Sequence, residues 1–249
     1  MGMWRLEILR IWRTRRIIAL TAVFLIIGIG DPLLVHFLSK LIANSSKNGV
    51  IVVAPTPTPA SSIASFGSSV AQLGTLVTVV VGAATLAIDS RPALAAFYRT
   101  RIRHPRDLIL PRFVAVLVFT CLALVIGIIA AWYETSILIG PVSAADLAVG
   151  FGFEALWVLF SIALVAAWSS MLKSVLAVAA WSVATLLALS LIGTIHVLSA
   201  WSPTALSSSI GPIVGGTSPN NFTGVSIVST IGAIALLGFA IFRIGRREQ

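Results

Sequence analysis

Six apolar stretches, at residues 17–38, 66–88, 113–133, 147–169, 175–198 and 222–242, alternate with polar or broken connections. About 20 consecutive apolar residues in a helix cross the roughly 30 Å hydrocarbon core of a bilayer. Each stretch therefore predicts a transmembrane helix, and the chain predicts an all-α polytopic membrane protein folded as a single domain over residues 1–249. The segment ahead of the first span, residues 4–16, has a different pattern. Trp4, Ile8, Ile11 and Trp12 recur at i, i+4, i+7 and i+8, while Arg10 and Arg13 fall on the opposite side. Tryptophan on one face and arginine on the other predict an amphipathic helix lying in the headgroup layer. The alternative is a basic flank that only orients the first span.

The connections differ in kind. The first span contains Gly28, Gly30, Asp31 and Pro32, and Pro32, lacking a backbone donor, predicts a kink. Residues 39–65 form a loop ending in APTPTPASS, whose Pro-Thr alternation favours extended polyproline II over helix. Residues 134–145 make a short connection, residues 171–174 a tight turn carrying Lys173, and residues 199–221 a Ser-, Pro- and Gly-rich stretch without charge. The long charged connection is 89–112, with Arg91, Arg99, Arg101, Arg103, Arg106 and Arg112. Within it Pro92 suits a first helical turn, and Leu94, Phe97, Tyr98 and Arg101 share a face at i, i+3, i+4 and i+7. Pro105 ends that helix, because the residue before proline avoids the α region. Aromatics and arginines presented together are the usual hot spots of a protein interface. The competing reading has the two rings dipping into headgroups.

Composition agrees with the spans. The chain is 58% hydrophobic and 10% charged, with mean hydropathy +1.03, whereas soluble domains carry about 25% charged residues. The net charge of +9 would suit nucleic acid, but the charges sit beside apolar spans. Of 17 Lys and Arg, 5 precede the first span, 6 lie in the 89–112 connection, 1 in the 171–174 turn and 3 in the tail, against Lys40 and Lys47 on the other side. The excess predicts that both termini and the arginine-rich connection face the cytoplasm, across the cell membrane. The first span follows five arginines with no A-x-A site after it, so it is expected to stay in the mature protein rather than be cleaved. The single cysteine, Cys121, excludes an intrachain disulfide.

With the basic amphipathic helix 4–16, the Pro-interrupted first span, the six-span count and HPRDLILPR at 104–112 leading into the third span, the chain resembles the permease subunit of bacterial ABC-2 type transporters. The resemblance runs over the whole length. It implies a cytoplasmic coupling loop at 89–112, in which Leu94, Phe97, Tyr98, Arg101, Pro105 and Arg106 would receive force from an ABC ATPase. It also implies that the uncharged run WSPTALSSSIGPIVGG within 199–221 forms short re-entrant helices on the outer side. A second permease, the same or a sister chain, would complete the pathway.

The chemistry of the chain fits a subunit of this kind. It has no G-x-x-x-x-G-K-[ST] phosphate loop, so ATP and Mg would be bound by the separate ATPase, with no cofactor on this chain. His36, His104 and His196 are scattered without metal-site spacing, and no Gly-x-Ser-x-Gly elbow occurs. No catalytic residue is expected. Two ionisable residues fall inside spans, Asp31 and Glu154, where such groups are functional candidates by default. They would line a pathway for cationic cargo or bind a proton; the alternative is hydrogen bonding to a neighbouring helix end or reach to the headgroups. Gly28, Gly30, Gly150 and Gly152 suggest close packing or hinges. Trp132, Trp157, Trp168 and Trp201 suggest interface anchors. The expected function is the membrane half of an ATP-driven exporter of a small molecule, drug, lipid or ion. The alternative is a non-transporting membrane scaffold or sensor subunit.

Overall fold

The computed structural model describes residues 14–45, 56–87, 105–195 and 201–246. Among these the chain is helical with no strand. Six helices are long and apolar enough to cross a membrane, so the protein is a multi-pass membrane protein. They are α1 (Arg16–Ser45), α2 (Pro59–Leu86), α3 (Pro105–Leu138), α4 (Ala144–Ser169), α5 (Val175–Gly193) and, after a short helix α6 (Ile210–Val214), α7 (Thr223–Arg246). The proposed interfacial helix lies almost entirely outside the described residues, as does most of the 89–112 connection.

Several helix limits differ from the sequence expectation. α2 begins at Pro59, inside the stretch expected to be extended. Thr58 caps it: its hydroxyl accepts from the Ser61 backbone N–H at 3.1 Å, and Ser61 Oγ accepts from the Thr58 N–H at 3.0 Å. Pro59 then occupies the first helical position, where a missing donor costs nothing. The Pro-Thr run thus supplies a helix start. α3 begins at Pro105 and runs through Pro111, eight residues before the expected limit, and it continues past Glu134. α1 likewise continues through Pro32 to Ser45. α4 starts on Ser143, whose hydroxyl accepts from the Asp146 N–H at 3.3 Å.

Antiparallel order follows from contacts at the two ends. At one end, Arg16 Nη1 donates to the Ala84 carbonyl at 2.9 Å and to Thr85 Oγ1 at 3.2 Å, tying the start of α1 to the end of α2. A cation on the last carbonyls of a helix also complements its dipole. At the other end, Ser62 and Thr135 share a buried hydrogen bond of 2.9 Å, and Gly193 at the end of α5 abuts Ser202 and Thr204. We call these the basic end and the short-helix end.

α1 packs chiefly on α3 at a crossing of two glycines. A Cβ on Gly28 would strike the Gly127 carbonyl, and one on Gly127 would lie 2.8 Å from the Phe24 carbonyl oxygen. α4 is the central helix, touching α2, α3, α5, α6 and α7. Its most apolar window is 56% buried, against 17% for α5. α5 therefore leaves most of its surface for lipid or another chain, with Leu176, Trp181, Leu187 and Leu191 exposed.

Candidate functional site

Midway along α2 the helix widens into one π turn, Val70–Gly74. Such turns are uncommon and recur at functional sites. Here the widening is stitched by side chains. Thr75 Oγ1 reaches the Val70 carbonyl at 3.4 Å, and Thr78 Oγ1 donates to the Gly74 carbonyl at 2.8 Å. Trp157, from α4, donates its indole N–H to Thr75 Oγ1 at 2.9 Å. Trp157 is 4% exposed, so the expectation that it anchors the chain at an interface is corrected. Its ring lies in the core because the hydroxyl of Thr75 gives its N–H a partner there. Trp132 fits the expectation better: it is half-exposed near the end of α3 and donates to the Val142 carbonyl at 3.1 Å.

Beside the π turn lies a cleft of about 510 Å³ between α2, α5 and the 3-10 turn Pro203–Ser208. Its polar wall is made of Ser68, Gln72, Thr75, Ser190, Thr204, Ser207 and Ser208, with Leu76, Val79 and Leu186 in the apolar wall. No charged residue lines it. Leu76 and Leu187 at its edge are exposed, so its mouth opens on the flank of the bundle. Sequence reasoning missed this cleft. The signal was present as Ser68, Gln72 and Thr75, polar residues at i, i+4 and i+7 within a span, which place three polar groups on one helix face.

The two acids do not come together. Asp31 faces the Ser69 hydroxyl, with Oδ2 buried and lacking a hydrogen-bond partner. Glu154 faces Gly67: a Cβ there would lie 3.9 Å from Oε1. Gly67 and Ser69 are two residues apart, about 200° around the helix, so the acids flank α2 on different sides. Glu154 is 1% exposed and neither oxygen has a hydrogen-bond partner. Among the described residues, no group of three or more His, Cys, Asp or Glu is placed to hold a metal ion.

Of the glycines, Gly28 and Gly150 are close-packed, whereas a Cβ on Gly30 or Gly152 would meet nothing within 4 Å. Leu94, Phe97, Tyr98 and Arg101 lie outside the described residues. Pro105 opens α3 and Arg106 is exposed in its first turn, while Arg112, also expected in the basic connection, is 2% exposed within the helix. Residues 203–214 fold back onto the bundle as a 3-10 turn and α6, with Leu206, Ile210 and Ile213 buried.

No family model matches the chain. It is similar to an uncharacterised transmembrane protein, YxlG, of Bacillus subtilis (strain 168), with 23% identity over the whole of this chain and 98% of the relative. The similarity spans both sequences nearly end to end rather than one apolar segment.

Proposed function

We propose that this chain is the membrane-spanning permease subunit of an ATP-driven ABC exporter in the cytoplasmic membrane. The ATPase is a separate polypeptide, and a second permease copy or a sister permease completes the pathway. The observation that carries this reading is the uncharged polar cleft. Ser68, Thr75, Thr204 and Ser207 bond within the chain, but the exposed amide of Gln72, on a bilayer-spanning helix, needs water, a solute or another chain against it, because hydrocarbon offers no hydrogen bonds. The cleft opens toward α5, the helix that the chain's own core covers least. A second subunit seated there would enclose a polar passage that one bundle leaves open.

The basic end supports the same reading. Arg16 holds the last turn of α2, at the point where the chain leaves for the arginine-rich connection, and α3 resumes at Pro105. Two firmly seated helices thus bracket the segment that would meet the ATPase. The positive-inside excess supports a cytoplasmic location for that segment and both termini.

Co-purification tests the proposal. The chain, tagged after Gln249, is extracted in mild detergent from its own cells, and bound proteins are identified by mass spectrometry. The expected partner carries a Walker phosphate loop. Recovery of the chain without any such protein, under conditions that preserve other membrane complexes, would count against the permease reading.

A further inference from the structure

Glu154 is enclosed by protein on every side. Ile210, the first residue of α6, is fully buried and wedged between Gly67 of α2 and Gly150 of α4. A Cβ on Gly67 would lie 2.9 Å from Ile210 Cγ2, and one on Gly150 would lie 2.7 Å from Cγ1 and 3.0 Å from Cα. Gly150 is one helical turn from Glu154 on the same face of α4, and Gly67 is the residue its Oε1 faces. The two glycines make a slot, Ile210 fills it, and the carboxyl lies behind. Gly211 fits as closely, since a Cβ there would lie 2.6 Å from Ala64 Cα. The segment 203–214 is therefore a fitted cover over Glu154.

Among the described residues, no charged group is hydrogen-bonded to the acid. α2, α5, α6 and the 3-10 turn carry no titratable side chain. α3 carries Arg106, Asp107, Arg112, Cys121, Tyr133 and Glu134, α7 carries Arg243 and Arg246, and α4 itself adds Asp146. None of them makes a hydrogen bond to either Glu154 oxygen. An isolated carboxylate cannot be enclosed in apolar surroundings without a counter-charge. Either a small cation shares the enclosure or the cover lifts and water enters.

We propose that Glu154 binds one small cation, a proton or an alkali-metal ion, and that its occupancy holds the segment 203–214 seated on the bundle. Losing the cation leaves a bare carboxylate that water must reach, which requires Ile210 to leave its slot. By reciprocity, lifting the cover weakens cation binding. The cover segment also lines the polar cleft through Thr204, Ser207 and Ser208, but Glu154 itself does not line that cleft, and the inference does not depend on the permease reading.

Hydrogen exchange on the full chain in lipid nanodiscs tests this directly. Glu154→Gln is nearly isosteric and permanently neutral, so it imitates the occupied site. The measured quantity is the exchange rate of the 209–214 amides in the wild type divided by that in Glu154→Gln under the same buffer, which cancels the intrinsic pH dependence of exchange. If the ligand is a proton, the ratio starts near one in acid and rises about fivefold or more toward alkaline pH, whatever the salt. If it is an alkali ion, the ratio is raised in a bulky organic-cation salt and returns to one on adding sodium or potassium chloride. A ratio that stays within about twofold of one in all these buffers, below the usual range of coupling, overturns the proposal. Should Glu154→Gln fail to fold, dicyclohexylcarbodiimide labelling of wild-type Glu154 decides. Labelling that falls with rising pH or with added alkali ion supports the site. No labelling, or labelling indifferent to both, overturns it.

Discussion

The two Gly-x-Gly pairs, Gly28/Gly30 and Gly150/Gly152, make a matched experiment. In each pair the first glycine touches a neighbour through its backbone face and the second faces open space. Alanine at Gly28 drives a methyl into the Gly127 carbonyl, and alanine at Gly150 meets Ile210 at its Cα as well as its side chain. Backbone atoms cannot rotate away, so the helices must separate. Overpacking of this kind costs about 1–3 kcal/mol. Alanine also gains about 1 kcal/mol of helix propensity over glycine, leaving a net loss of about 0–2 kcal/mol at Gly28 and Gly150. At Gly30 and Gly152 only the propensity term acts, so those variants should be neutral or more stable by up to about 1 kcal/mol. The contrast within each pair, about 1–3 kcal/mol, is the quantity to test, since propensity cancels in it. Equilibrium unfolding in mixed micelles measures it for all four variants. Gly127→Ala should resemble Gly28→Ala, and the double variant should cost less than the sum because either one already forces apart the same crossing. Equal stability of Gly28→Ala and Gly30→Ala would show that α1 and α3 do not cross as described.

Other consequences follow from single contacts. A double-mutant cycle between Trp157→Phe and Thr75→Val should give a coupling of about 0.6 kcal/mol, with an upper range near 1.7; zero coupling would return Trp157 to an interface role. A reporter active only in the cytoplasm should work when fused after Gln249, and activity there of a periplasm-only reporter would contradict the orientation. Replacing Phe97 and Tyr98 together by alanine should weaken association with the ATPase by about 2 kcal/mol or more while expression and topology persist. Unchanged association would make that segment a membrane anchor rather than a coupling element.

The six spans were legible in the sequence because length and apolarity alone decide whether a helix can cross a bilayer. Their limits were less legible, since proline has two opposite uses. Pro59 reads as a helix breaker by composition, yet behind a Thr58 cap it starts one. Pro111 and Pro32 are tolerated within long helices, as membrane helices permit where neighbours satisfy the freed carbonyls. The glycine pairs showed that close approach was needed but not which member made it, because that depends on the partner helix. Trp157 was misjudged for a similar reason: nothing near it in sequence reveals Thr75 as acceptor. The acids stood out in the sequence as ionisable groups inside spans, but whether they met required the packing of α2 between them.

The most direct test of the transporter account uses purified components in nanodiscs. The chain is reconstituted with the Walker-motif ATPase that co-purifies with it, and ATP hydrolysis is compared with that of the ATPase alone. The account predicts that the ATPase binds these nanodiscs, that its hydrolysis rate changes on binding, and that the Phe97→Ala, Tyr98→Ala double variant loses both effects. An ATPase that neither binds nor changes its rate in the presence of the wild-type chain would contradict the assignment of this protein as a permease.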